Sequence, residues 1–398
     1  MVQARLHRQG RTRLRRERAQ PARPVTSADV LVLGGGPAGS AAARTLARLG
    51  KSVVVVERST YHDWRPGESL PPQARTTLAE LGVVERLLEL EPATSFGIRA
   101  CWGQSDPYAI DFIFDASGTG CQVDRPRFDA MLASAAADAG AALVTGARLL
   151  ALELERCCWQ ACVETAGQRR VFRARALVDA TGRSALVARR LGVRRRAFDR
   201  LIGLVGLVDL PESAAVESNL LLEAVEDGWW YSAPLPRSRM TVAFMTDADL
   251  IGSRACASAF AARLRQAPYT TERVQGLRLR DLRVRSAATA RLDEPSGAGW
   301  LAVGDAAEAH DPLAGIGLTN AIDSGRRGAR ALAAALDGDT EAKARYAADT
   351  AVSFWRYLRQ RTEQYARERR WASSPFWRRR CTDDASSSPG GIGSDAWG

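Results

Sequence analysis

Nothing in this sequence approaches the roughly 20 consecutive apolar residues that a membrane-spanning helix requires, so integral membrane association is not expected. Metal-ligand spacing is missing too. The seven cysteines, at positions 101, 121, 157, 158, 162, 256 and 381, form no CxxC pair and have no histidine at ligand spacing. That excludes a structural zinc and fits reduced thiols in a cytoplasmic setting. Arg15-Arg16 is followed by no apolar stretch of roughly 7 to 15 residues, so the start does not read as a secretory or twin-arginine signal. Residues 1–26 are expected to be a disordered basic arm or a misplaced start. A basic body is lacking as well: of the formal +11, residues 1–26 carry +7, residues 356–380 carry +7 and the closing tail −3, which leaves residues 27–355 neutral. A fold that grips nucleic acid concentrates basic charge on its binding face, so nucleic acid is not expected as a partner. No internal repeat is present.

What is there is an ordinary globular composition, 46% hydrophobic and 25% charged over 398 residues, enough chain for two or three domains. Order is expected from about Ser27, where Ala28-Asp29-Val30-Leu31-Val32-Leu33 reads as a buried strand entering a glycine cluster. Pro37 to Leu49 reads as a helix closed by Gly50, and Val53 to Val56 as an unalternated β-branched run of the kind buried on both faces of a parallel sheet. Helices are expected over Gln73–Leu81 and Asp129–Ala142, and paired strands over 149–164 and 168–178. Short alternating strands follow from 196 to 286, including 229–236 and 240–245. A long helix over 318–336 and Arg-rich helices to about 380 complete the chain.

Three segments carry the chemistry. Gly34-Gly35-Gly36-Pro37-Ala38-Gly39 is a GxGxxG set between a strand and a helix. Gly34 permits the tight turn, Gly36 lets a pyrophosphate approach the helix N-terminus, and Gly39 permits close helix packing. Glu57 ends the next strand, where a carboxylate accepts hydrogen bonds from a ribose diol. The second segment, Leu177 to Ser184, is a strand running into a turn at Gly182. The third is Leu301-Ala302-Val303-Gly304-Asp305-Ala306-Ala307, followed by His310-Asp311-Pro312-Leu313-Ala314-Gly315-Ile316-Gly317-Leu318. Asp305 could hold a ribityl hydroxyl there. Gly315 and Gly317 open a long helix whose positive end favours electron density on a reduced flavin ring.

In these motifs the chain resembles the FAD-dependent aromatic hydroxylases of the p-hydroxybenzoate hydroxylase type, over nearly all of residues 27–345. The resemblance implies an α/β fold (α+β overall): a glutathione-reductase-like Rossmann FAD domain, an inserted antiparallel-sheet substrate domain and a helical C-terminal region. The FAD domain is expected in residues 27–95, 122–195 and 287–345, the substrate domain in 96–121 and 196–286, helices in 346–380 and a disordered tail in 381–398. One FAD is implied, held by Gly34, Gly36, Pro37, Ala38, Gly39, Glu57, Arg58, Gly182, Asp305, Pro312, Gly315, Gly317 and Leu318. Arg125, within Val123-Asp124-Arg125-Pro126-Arg127-Phe128-Asp129, matches a flavin-contacting arginine of the family; otherwise it is a solvated surface residue.

Arg65-Pro66-Gly67-Glu68-Ser69-Leu70-Pro71 and Trp102-Gly103 are similar to segments of the flavin halogenase-like branch. Two departures argue against halogenation. The lysine expected seven residues before Trp102 is Ser95, and the GWxWxIP segment is replaced by Gly228-Trp229-Trp230-Tyr231-Ser232-Ala233-Pro234. Together with Pro375-Phe376-Trp377 and its arginines, the pattern looks more like the flavoprotein maturases that oxidise a tryptophan in quinone-cofactor oxidases. The implied reaction is hydroxylation of an aromatic ring, small-molecule or protein-bound, through a flavin C4a-hydroperoxide. With one dinucleotide fingerprint, NADH or NADPH must bind transiently, or a separate reductant supplies electrons. A halogenase, an alkene-saturating flavin reductase and a non-catalytic flavin scaffold stand as alternatives. His310 and Glu68 are the acid–base candidates, with His62 behind them; each could instead be packing or loop support. Trp229, Trp230 and Tyr231 could line an aromatic substrate cavity or be plain core. The Arg-rich end with Trp371, Phe376 and Trp377 could dock a partner protein or be a solvated helix face.

Overall fold

A computed structural model describes residues 25–211, 217–251 and 257–381. The basic arm up to residue 24, the closing tail from residue 382 and Cys256 lie outside the described residues.

Alternate residues of the first strand, Val25–Leu33, enter different cores. Leu31 and Leu33 pack with Val54 and Val56 on one face, and Val30 and Val32 with Val53 and Val55 on the other. This is why the run shows no polar alternation. The sheet they build runs Ser296–Gly297, Trp300–Ala302, Gln168–Asp179, Val25–Leu33, Val53–Val56 and Ala142–Val144, with parallel pairing at its centre. Strands Arg148–Glu155 and Cys158–Thr165 extend Gln168–Asp179 as an antiparallel meander.

The helices cover both faces. Pro37–Arg48 crosses the long helix Gly317–Leu336 where neither has side chains to spare: a Cβ on Gly325 would lie 2.2 Å from the Ala38 carbonyl oxygen. The helix expected over 129–142 is Arg125–Asp138. It begins four residues early because Pro126 preorganises the first turn, and it stops short because Gly140, at φ 107°, turns the chain into Ala142–Val144.

The second domain is a seven-stranded sheet ordered Arg278–Ser286, Leu201–Asp209, Arg239–Asp247, Gly228–Leu235, Leu220–Val225, Gly97–Cys101 and Tyr108–Asp111. It departs from the antiparallel expectation at one place: Gly97–Cys101 pairs parallel with Leu220–Val225. Gly97–Cys101 belongs to a much earlier stretch of chain than its partner, and such a long crossover permits parallel pairing where a tight hairpin does not. Helices Ala342–Ala366 and Pro375–Cys381 close the structure. Among the described residues no helix is long and apolar enough to cross a membrane, and no His/Cys/Asp/Glu cluster could hold a metal ion.

Candidate functional site

The glycine turn sorts its glycines by space. Gly34 sits at φ 103°, and a Cβ there would be 2.3 Å from the Ala180 carbonyl oxygen; one on Gly39 would be 1.8 Å from the Gly34 oxygen. A Cβ on Gly36 meets no atom within 4 Å, and the same holds at Gly182, Gly315 and Gly317. The first pair of glycines is therefore required by protein packing, and the second set has open space beside it. Pro37 opens the helix behind Gly36, and Ala38 packs beneath Gly304. Glu57 is buried, with Oε2 accepting from the Gly35 amide at 2.6 Å and Oε1 from the Ser59 amide at 2.8 Å. The Tyr61 hydroxyl donates to the Gly35 carbonyl at 2.9 Å. Arg58 is exposed beside them.

On the second segment Asp179 turns inward, its Oδ2 accepting from the Val187 and Ala188 amides, so it caps the following helix. Asp305 of the third segment is partly exposed, 3.3 Å from the Arg183 Nε. Asp311 accepts from the Leu313 amide at 2.9 Å and so caps the turn Pro312–Ala314, which leads through Gly315 at φ 65° into the helix that begins at Gly317. Leu318 is buried in that first turn. Arg125 is not a solvated arginine. Its Nε and Nη2 take both oxygens of Asp129, and its Nη1 donates to the Pro66 and Gly67 carbonyls at 2.9 Å. It fastens the Arg65–Pro71 loop to the FAD-type domain.

The substrate-side aromatics divide by strand alternation. Trp229 and Tyr231 face the cluster of Trp102, Tyr365, Phe376 and Trp377, against which Trp64 and Leu313 also pack. Trp230 faces the opposite core, its ring 4.9 Å from those of Phe244 and Phe260, and so does not share that cavity wall. Phe376 and Trp377 are fully buried, which removes them from any docking surface, while Trp371 is half-buried. Arg361, Arg370, Arg379 and Arg380 of the Arg-rich end pair with Asp or Glu, and Arg356, Arg359, Arg367 and Arg369 remain exposed.

Glu68 is buried, and burial raises its pKa from the ordinary glutamate value. Its Oε2 accepts from the Gly67 amide at 2.6 Å, and its Oε1 has no hydrogen-bond partner among the described residues. The Thr241 hydroxyl adjoins the carboxyl without meeting hydrogen-bond geometry, and Tyr231 is close enough to feel its charge. His310 is also buried, which lowers its pKa to about 4 and keeps it neutral. Its ring lies edge-on to Tyr357 at 4.3 Å, and its Nδ1 is 3.5 Å from the Asn320 amide nitrogen. His62 is exposed, bonded to Thr60.

The sequence reading passed over Glu308, whose Oε1 is 3.7 Å from the His310 Nε2 and whose Oε2 is unpartnered among the described residues. Burial raises its pKa to about 7; Arg327 and Arg291 oppose this and Asp305 adds to it. An unfolded glutamate titrates near 4.5, so between that pH and 7 the folded chain binds more protons than the unfolded one. The stability Glu308 contributes is present below pH 4.5 and is lost as pH rises through 7, about 3 kcal/mol in all. Glu308→Gln keeps the neutral shape, so it is expected to raise the melting temperature at pH 8 and leave it unchanged at pH 4.5. Melting curves that shift equally at both pH values would refute this assignment.

Also missed were Tyr357, Arg361 and Tyr365 on the Ala342–Ala366 helix. Their spacing of four puts them on one face, and that is the signal that could have found them.

A family profile described as FAD binding domain matches residues 27–360. The protein LodB of Marinomonas mediterranea, whose name places it among FAD-dependent oxidoreductases, is 29% identical over 363 residues, covering 89% of this chain and 97% of LodB. The flavin-dependent halogenase CmlS superposes with a TM-score of 0.80 at 24% identity, over 89% of this chain and 68% of its own. The peptidyl tryptophan dihydroxylase QhpG, described as essential for tryptophylquinone cofactor biogenesis, superposes with a TM-score of 0.75 at 24% identity, over 90% of this chain and 80% of its own.

Proposed function

Because the chain belongs to the FAD binding domain family, we propose that this FAD-dependent oxidoreductase is a monooxygenase that hydroxylates an aromatic ring, with a tryptophan side chain of a partner protein as the substrate class. The observation that carries hydroxylation over halogenation is the placement of lysine. The whole sequence holds two, Lys51 and Lys343. Lys51 pairs with Asp337 at the edge of the first sheet remote from the glycine turn, and Lys343 donates to the Gly297 carbonyl. The halogenase lysine position is Ser95, buried and bonded to the Gly97 carbonyl at 3.3 Å.

The residues present fit FAD. The open faces of Gly36, Gly182, Gly315 and Gly317 leave room for a dinucleotide, Glu57 stands where a ribose would bind, and Asp305 is partly exposed for the ribityl chain. Bound FAD supplies the redox chemistry, accepting electrons and activating dioxygen. One atom of O2 enters the ring and the other leaves as water, with two electrons from NADH, NADPH or a separate reductant. The chain's own residues bind, exclude water and handle protons. The N-terminus of Gly317–Leu336 offers backbone donors to developing negative charge. Trp229, Tyr231 and Trp102 belong to a packed aromatic cluster that keeps water from the side of the loop where Leu313 lies. Glu68, whose pKa burial raises, and His310, which burial keeps neutral, are the acid–base candidates of this reading.

The test uses purified protein, FAD, a reductant and oxygen-18 gas with tryptophan-containing peptides, in chloride and bromide. Peptide carrying one labelled oxygen is the expected product. A halogenated peptide would move the enzyme to the halogenases, and an oxidised or reduced product without label would make it a dehydrogenase or reductase.

A further inference from the structure

The Tyr365 hydroxyl joins two parts of the molecule. It donates to Asp311 Oδ2 at 2.8 Å and accepts from Trp229 Nε1 at 3.0 Å. Asp311 caps the turn that leads into Gly315 and Gly317, and Trp229 forms the aromatic face of the seven-stranded sheet. We infer that Tyr365 is a positioning residue that couples the placement of the Trp229 indole to the conformation of the Asp311–Gly317 loop. The inference rests on the reading that this loop holds FAD.

The direction of each bond is fixed. An indole has one N–H and no acceptor, a carboxylate only accepts, and so the phenol must donate to Asp311 and receive from Trp229. Such a chain is cooperative, because each bond polarises the next. Reorientation is closed off as well. The Tyr365 ring is fully buried, with the Arg361 and Arg380 guanidiniums over it at 5.1 and 5.3 Å.

Arg361 Nε reaches the same Asp311 Oδ2 at 3.1 Å, while its Nη2 holds Asp199 at 2.7 Å. The Asp311 amide donates to the Tyr357 hydroxyl at 2.7 Å. One helix face therefore fixes both the backbone and the carboxylate of Asp311. Arg361 and Tyr357 anchor the loop to the helix, Arg361 also reaching the start of strand Leu201–Asp209 through Asp199, and Tyr365 adds the bond to Trp229. A shift of the Trp229 indole pulls on the Tyr365 hydroxyl and thereby on the cap of the loop.

The experiment is a double-mutant cycle of Tyr365→Phe and Trp229→Phe, both of which keep the rings. The readouts are the FAD dissociation constant of the apoprotein, by flavin fluorescence quenching, the midpoint potential of the bound flavin, and the melting temperature of the apoprotein. Tyr365→Phe is expected to raise the dissociation constant about tenfold, as loss of a bond to a charged acceptor does, and to lower the midpoint potential. Trp229→Phe alone is expected to weaken FAD about threefold and to have no further effect in the Tyr365→Phe background. Additive effects, or a lower apoprotein melting temperature with dissociation constant and potential unchanged, would leave Tyr365 a packing residue and overturn the coupling. Gly317→Val measured alongside separates the two readings. If it leaves FAD affinity unaltered, the loop does not hold FAD; if it weakens FAD while Tyr365→Phe does not, only the coupling fails.

Discussion

Gly36→Val protein is expected to purify folded, colourless and unable to take up FAD. The N-cap Gly36 has φ −71° and ψ −172°, an extended conformation open to any residue, and a Cβ there meets no protein atom within 4 Å. Folding is therefore undisturbed, and the isopropyl group occupies the space through which a pyrophosphate must approach the helix N-terminus. A loss of at least about 100-fold in FAD affinity follows from removing several charge-assisted amide contacts at once. Gly39→Val is the counterpart. Its Cβ would fall 1.8 Å from the Gly34 oxygen, in backbone that cannot yield, so that variant is expected to fail to fold. Absorbance near the flavin bands and far-ultraviolet circular dichroism separate the two outcomes. Full flavin retention by Gly36→Val would show that the pyrophosphate lies elsewhere.

Trp377→Ala is expected to destabilise the folded protein by about 3–5 kcal/mol in urea unfolding, the range for a fully buried aromatic cut to alanine. Trp377 is 0% exposed, donates its Nε1–H to the Val225 carbonyl at 3.0 Å, and meets the Trp102 ring edge-on at 5.2 Å. Its removal opens the cavity between the sheet and the last helix and leaves a buried carbonyl without its donor. Were Trp377 a docking residue for another protein, its loss would leave stability unchanged. An unfolding midpoint equal to that of the parent protein would mean that the short helix does not pack as described.

The first domain was legible because its signals are local. A β-branched run, a glycine turn and an acidic strand end sit within about 30 residues of one another, and each is dictated by the geometry of a strand-to-helix connection. The strands of the second domain were legible as strands, yet their pairing was not. Nothing in Gly97–Cys101 says that its neighbour is Leu220–Val225, because pairing over that separation is decided by which faces are left to bury. Trp229, Trp230 and Tyr231 show a limit of a different kind. Taken as one aromatic set they suggest a cavity wall, whereas a period of two separates Trp230 from its neighbours as soon as the run is a strand. Arg125 was ambiguous because two of its partners, the Pro66 and Gly67 carbonyls, are backbone atoms and leave no trace in residue identity, although its pairing with Asp129 at i,i+4 is visible in the sequence. Glu68 and His310 were named from their motifs and Glu308 was not, but the shifted pKa values of all three arise only through the burial that tertiary packing supplies.

The placement of Gly97–Cys101 and of the two closing helices also sets the order in which the protein can mature as it leaves the ribosome. Gly97–Cys101 must wait for Leu220–Val225. Trp102, next in sequence, must wait longer, since its indole N–H ends on the Gln364 carbonyl and its ring on Trp377. The Asp311 cap likewise waits for Arg361 and Tyr365. A nascent chain can pair the first-sheet strands up to Gln168–Asp179 early, but Trp300–Ala302 joins that sheet late, and a long-range wall of this kind forms only when nearly all of the described polypeptide has emerged. Until then the indole surfaces of residues 102 and 229 stay wet, so the interval between emergence of the first sheet and docking of the final helices is the one in which a chaperone has something to hold.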